Sequence, residues 1–137
     1  LIWEKTVIKD LDFDYIIPVP LHWSRYASRG FNQAEVMAHE ISKLSNKPVI
    51  NIISRKKKTV FQSLLSNQER SKNLKNAFEL REKKYLFYKN NLNSYKNKKI
   101  LIVDDLMTTG ATLATLCKVV KQLGPSEIIV VVACRTI

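Results

Sequence analysis

The stretch from Ile100 to Cys134 constrains this chain more than any other part of it. Ile100-Leu101-Ile102-Val103 is an unbroken aliphatic run with no polar alternation, the pattern of a parallel strand covered on both faces. Leu113, Leu116, Val120 and Leu123 then recur at helical spacing over residues 111–123, Gly124-Pro125 stops that helix, and Glu127 to Cys134 supplies another apolar strand. Strand, helix and strand in this order make a βαβ unit. The chain is therefore read as an α/β protein with an open, mostly parallel sheet and flanking helices. In such sheets ligands bind beyond the carboxyl ends of the strands.

A length of 137 residues suits one α/β core, and residues 1–137 are read as a single domain. Upstream, Tyr15-Ile16-Ile17 is a short buried strand closed by Pro18-Val19-Pro20, and Leu21 to Phe31 is a loop. A helix follows. Asn32 caps it, Glu35 stands three residues on as a capping-box partner, Phe31 and Val36 hold the hydrophobic-staple positions, and Met37, Ile41 and Leu44 form its apolar face. Asn46-Lys47-Pro48 ends the helix, and Val49 to Ile53 reads as a second strand. Ser66 and Glu69 mark a short helix over about residues 67–75, while 77–80 and 85–88 are extended candidates. Residues 85–99, turning Asn-rich and Lys-rich, are expected to be a variable or mobile connection.

Charge is placed very unevenly. The formal net charge is +11, and residues 54–99 hold all of it, with fourteen Lys and Arg against three Glu. Such a map implies a polyanionic partner, whether nucleic acid, phosphorylated small molecule or acidic protein, unless it is a solvated, solubilising surface. The longest apolar run, Ile128 to Cys134, is seven residues, far below the roughly 18 that span a bilayer. No membrane insertion and a cytoplasmic location are expected. Cys117 and Cys134 lie in apolar segments at a spacing that suits neither a disulfide framework nor a metal site, and both are read as core thiols.

The chemistry concentrates in Val103-Asp104-Asp105-Leu106-Met107-Thr108-Thr109-Gly110-Ala111-Thr112, between the central strand and its helix. Successive backbone N–H groups from Met107 to Thr112, with Gly110 permitting close approach, suit a phosphate cradle at a helix N-terminus. The hydroxyls of Thr108, Thr109 and Thr112 donate to the same oxygens. Two carboxylates beside a phosphate would repel it, so Asp104 and Asp105 are better explained as acceptors for the vicinal hydroxyls of a ribose. Together these residues describe a ribose 5-phosphate site.

This segment closely resembles the phosphoribosyl diphosphate (PRPP) motif of type I phosphoribosyltransferases. Val19-Pro20-Leu21-His22, Arg25 and Arg29-Gly30-Phe31-Asn32-Gln33 resemble the N-terminal hallmark of the ComF family, phosphoribosyltransferase-like proteins associated with DNA import in natural transformation. Arg55, Thr59, Gln62, Leu65, Glu69, Arg70, Asn73 and Phe78 follow in the order expected of that family's central loop.

The resemblance implies a type I phosphoribosyltransferase-like fold that binds PRPP with Mg²⁺, the ion held mainly by PRPP rather than by protein side chains alone. It implies a pyrophosphate loop carrying Arg25, Arg29 and Gly30, and a flexible loop with Gln62 and Arg70 as contacts. It also implies a role in competence, with an unidentified acceptor if the protein is an enzyme. The alternative is a non-catalytic PRPP-sensing module that binds single-stranded DNA, with Arg55, Lys56, Lys57 and Lys58 as candidate contacts, or that docks competence DNA-import proteins. Members of the family commonly carry a four-cysteine zinc ribbon before the first strand. No such cysteines occur here, so no zinc is expected, and the chain either lacks that module or is a fragment without it.

Overall fold

Ile100, Leu101, Ile102 and Val103 are all completely buried, and the architecture is built outward from them. The computed structural model describes residues 7–21, 30–55, 77–81, 92–107 and 110–135. In chain order the elements are a 3-10 turn (Val7–Asp10), β1 (Tyr15–Pro18), α1 (Gln33–Ser45), β2 (Ile53–Arg55), β3 (Phe78–Leu80), a 3-10 turn (Leu92–Tyr95), β4 (Lys99–Met107), α2 (Ala111–Val120) continued by a 3-10 turn (Lys121–Leu123), and β5 (Glu127–Arg135).

The main sheet has the order β1-β4-β5 and is parallel throughout, with Ile17 opposite Ile102 and Ile102 opposite Val130. Strand alternation divides β4 between two cores. Ile100 and Ile102 join Leu113, Leu116 and Val120 of α2 on one face, whereas Leu101 and Val103 join Ala38 and Ile41 of α1 on the other. The expected βαβ unit and open parallel sheet are thus present, and β2 and β3 form a separate antiparallel pair packed over the α2 side.

Several local expectations are corrected. Asn32 caps α1 through its side chain, accepting from the Ala34 N–H at 3.1 Å, and its amide donates to the Val19 carbonyl at 3.0 Å. Glu35 does not act in a capping box; it lies 3.8 Å from His39 instead. Of the expected apolar face of α1, Ile41 is buried and Met37 packs against the same core, joined by Ala34 and Ala38, whose small side chains let the helix approach the sheet, whereas Leu44 stays in solvent. Phe31 and Val36 both remain about half exposed.

Of the run Val49 to Ile53, only Val49 bridges to β1, opposite Ile16; the chain then leaves the sheet, and β2 forms from Ile53 to Arg55. Ile52 and Ile53 are apolar because they are buried in the α2-side core, not because they extend the main sheet. The thiols also differ from expectation. Cys117 is half-buried, and Cys134 is exposed because it ends an outer strand.

The later part of the expected connection is built into the fold. Tyr95 is 1% exposed and meets the Tyr15 ring edge-on at 5.0 Å. Asn97, in the left-handed region at φ 61°, donates its N–H to the Gly124 carbonyl, and Ser126 donates to the Lys98 carbonyl. The short helix expected at 67–75 and the strand at 85–88 lie outside the described residues. Among the described residues no helix is long and apolar enough to cross a membrane.

Candidate functional site

The central strand runs four residues further than its aliphatic core. β4 continues through Asp104, Asp105, Leu106 and Met107, still in register with β5, so that Asp104 pairs with Val132 and Met107 with Arg135. The two carboxylates therefore stand on the carboxyl-terminal end of a strand and not on a loop. The exit of β1 lies alongside, since Val19 donates its N–H to the Val103 carbonyl at 2.9 Å.

Asp104 and Asp105 are both half-buried. Asp104 Oδ1 accepts the N–H of Asp105 at 2.9 Å. Burial, reinforced by hydrogen bonding and repulsion between the two carboxyl groups, pushes the Asp104 carboxyl up to about 6. Among the described residues no cation pairs with either of them. A pair of acids in this state is suited to accept hydrogen bonds from hydroxyls or to meet a cation brought by a ligand.

Beyond the end of β4, Gly110 holds φ 82° and starts α2 with no side-chain cap, and its carbonyl accepts the Ala114 N–H at 2.9 Å. A Cβ at Gly110 would meet Met107 Sδ at 3.7 Å, an ordinary contact, so glycine is required here by its φ and not by crowding. Met107 and Thr112 are half-buried and Ala111 is exposed. The same holds at Gly30, which has φ 77° and open space around it at the far end of the loop after β1.

A cleft of about 180 Å³ opens beside the end of β1, lined among others by Pro18, Pro20, Leu21, Asn32, Glu35 and Arg81. Arg81 and Glu35 were not legible as site-lining residues. Arg81 is brought here by the antiparallel pairing of β2 and β3, a contact between segments more than twenty positions apart that no local pattern announces. Arg55 is half-buried in β2 with its guanidinium 5.1 Å from the centroid of the Phe78 ring, a cation–π contact that ties it to the hairpin. Arg25, Arg29, Thr108, Thr109, Gln62, Arg70, Lys56, Lys57 and Lys58 lie outside the described residues.

Residues 15–137 match the phosphoribosyl transferase domain. The chain belongs to that family. This domain is 40% identical over 114 residues to Competence protein F of Haemophilus influenzae, covering 82% of the chain and 46% of that protein. It is 32% identical to the DNA utilization protein YhgH of Escherichia coli K12 (90% and 50% covered) and 31% identical to Competence protein ComFC of Bacillus subtilis (80% and 39% covered). The chain spans about half the length of the curated relatives it matches, or less. The fold of the phosphoribosyl transferase domain is shared with solved structures. A purine phosphoribosyltransferase from Pyrococcus horikoshii aligns with a TM-score of 0.52 at 21% identity, over 91% of this chain and 62% of that one. The glutamine PRPP amidotransferase of B. subtilis aligns with a TM-score of 0.58 at 13% identity, over 95% and 24%.

Proposed function

We propose that this domain binds PRPP at the carboxyl end of β4 and acts in DNA uptake or processing during natural transformation. The observation that carries the reading is the half-buried Asp104-Asp105 pair, without a cation partner among the described residues, at the end of the strand that precedes a helix whose N-terminus carries no side-chain cap. The carboxylates accept the ribose hydroxyls, and the backbone from Met107 to Thr112, with the hydroxyls of Thr108, Thr109 and Thr112, receives the 5-phosphate. The loop after β1 supplies Arg25, Arg29 and the Gly30 turn to the diphosphate, where a planar guanidinium gives two parallel hydrogen bonds. Gln62 and Arg70, in the sequence between β2 and β3, are assigned by the resemblance to a loop that closes over PRPP.

The donor set also fits Mg²⁺. Asp104 and Asp105 offer hard oxygen ligands, too few to hold the ion alone, so PRPP oxygens complete its shell. Held by these carboxylates together with PRPP, Mg²⁺ would supply neutralisation of the negative charge on the diphosphate leaving group. Competence DNA-import proteins as partners and a cytoplasmic location are also part of this proposal; the names of the relatives, competence and DNA utilization proteins, support the first. Calorimetric titration with PRPP, with and without Mg²⁺, tests it: Mg²⁺-dependent binding is expected, and no binding in either condition refutes it.

The excess charge of residues 54–99 supports a second reading, in which PRPP is a regulatory ligand and single-stranded DNA binds through this segment, including Arg55, Lys56, Lys57 and Lys58. Release of diphosphate in the presence of nucleobases favours the transferase, and PRPP binding without release favours the sensor. If DNA neutralises about five cations here, log affinity falls with log salt at a slope of roughly −3.5.

A further inference from the structure

The two outer strands of the main sheet treat their free edges differently. On the far side of β1, Ile16 donates its N–H to the Pro48 carbonyl at 3.0 Å, Ile50 donates to the Ile16 carbonyl at 2.8 Å, and Pro18 has no N–H to offer. That edge is closed. β5 is paired with β4 along its whole length, from Glu127 opposite Lys99 to Arg135 opposite Met107, and among the described residues no strand pairs with its other side.

Edge strands are ordinarily blunted by charge, proline or a bulge, because their unpaired N–H and C=O groups invite another strand. Residues 128–134, Ile-Ile-Val-Val-Val-Ala-Cys, contain none of these devices. Val130 is 39% exposed, and Ala133 and Cys134 are exposed as well. The only charges on β5 are at its two ends, Glu127 and Arg135, both exposed and of opposite sign.

That placement identifies the occupant. When β5 pairs antiparallel with β5 of a second copy about a two-fold axis at Val131, Glu127 falls opposite Arg135 at both ends of the interface. Sliding the strands by two residues either way places Glu127 opposite Ala133 or Ile137, and parallel in-register pairing sets Glu127 against Glu127 and Arg135 against Arg135. Opposite charges directly across a sheet are favourable and like charges are not. We propose that β5 is a dimerisation edge, joining two three-stranded sheets into one antiparallel-centred sheet of six. The interface is isologous and closes on itself. Because Met107 is opposite Arg135, each candidate ligand site sits beside the end of its own β5, and the two sites lie at opposite ends of the joined strands, clear of the two-fold axis.

Sedimentation equilibrium on the 137-residue chain tests the association, and charge exchange tests the register. Glu127→Arg and Arg135→Glu should each raise the dimer dissociation constant about tenfold, and the double exchange should return it to within about twofold. Both positions are exposed, so folding is checked simply by far-UV circular dichroism. In a Cys134→Ser background, Val131→Cys should form a symmetric intermolecular disulfide on mild oxidation, since directly opposed residues have Cα atoms about 4.5–5.5 Å apart. Cys134 of the unaltered chain should not cross-link to its own copy, because the register sets it opposite Ile128. A monomer at the highest soluble concentration overturns the proposal, and so does a dimer indifferent to the charge exchange.

Discussion

Each end of β4 has a pair of aspartates, the first contributed by the segment before β1 and the second by β4 itself, and the two pairs stand under opposite conditions. At the amino end, Asp14 Oδ2 accepts the backbone N–H of Lys99 at 2.8 Å, and Asp12 pairs with the Lys99 ammonium at 2.8 Å, which holds the Asp12 carboxyl low and the Lys99 ammonium high. At the carboxyl end, Asp104 and Asp105 have, among the described residues, only each other and the backbone N–H groups of Asp105 and Leu106, and burial drives the Asp104 carboxyl up. The first pair is satisfied within the chain and needs no explanation beyond structure. The second carries a cost in the free protein that a ligand bearing hydroxyls or a cation would relieve. Acidity alone does not separate a structural pair from a site; the presence of an internal partner does.

The largest effect is expected from abolishing this contrast. Asp104→Asn combined with Asp105→Asn should leave the fold intact and lower PRPP affinity by roughly 2 to 4 kcal/mol, taking each carboxylate as a charge-assisted hydrogen bond to the ribose. Titration calorimetry measures it, and unchanged affinity in the folded double variant would remove the ribose assignment. Next comes Gly110→Val. At φ 82° a β-branched residue is strained by roughly 1 to 2 kcal/mol, so the α2 N-terminus should shift and ribose 5-phosphate competition should weaken, while the paired amino end of β4 is unaffected. Normal competition by ribose 5-phosphate would place the cradle elsewhere.

How much of this was legible in the sequence follows from how local each signal is. Ile100 to Val103 and the 113, 116, 120 spacing announce β4 and α2 because burial on both faces of a strand and on one face of a helix leaves a periodic trace. The Asn32 cap was legible for the same reason, its bond to Ala34 spanning only two residues. The long-range pairings were not. Nothing near Val49 reveals that one residue of an apolar run bridges to β1 while Ile52 and Ile53 turn into the core, and Cys134 looks like a core thiol until β5 is known to be outermost among the described strands. At the site, residue type and order pointed to Asp104, Asp105 and Gly110. The raised pKa of Asp104 came only with the knowledge that β4 extends to Met107, because a loop aspartate would be fully solvated.

A third prediction uses pH to separate the two ends. Asp104 binds its proton more tightly in the folded state, with its usual value of 3.8 raised to about 6. Its contribution to stability is therefore complete below about pH 3.8 and is lost as pH rises through about 6. From about pH 4.5 to about pH 7, on either side of the folded-state value, Asp104→Asn should gain stability relative to the unaltered protein. The gain should be on the order of 1 kcal/mol once solvent screening at a half-exposed carboxyl is allowed for. PRPP affinity should move the opposite way, rising with pH as the carboxylate forms. Part of that rise belongs to the titrating phosphate of the ligand, and the fraction lost in Asp104→Asn is the part due to the protein.

The smallest effect is expected at the amino end, and it is the control on which the comparison depends. Asp12 is 79% exposed and its ion pair with Lys99 is open to solvent, so Coulomb attraction is screened and ordering two mobile side chains offsets much of what remains. Asp12→Asn should leave the thermal midpoint unchanged within error at physiological salt and leave PRPP affinity untouched. The Lys99 ammonium would lose its partner, but Lys99 stays in register because its backbone N–H is held by Asp14 and its neighbours by β1 and β5. A substantial loss of PRPP affinity in Asp12→Asn would mean that the charge of the whole strand, and not the local pair at its carboxyl end, governs binding, and the distinction between the two ends of β4 would fail.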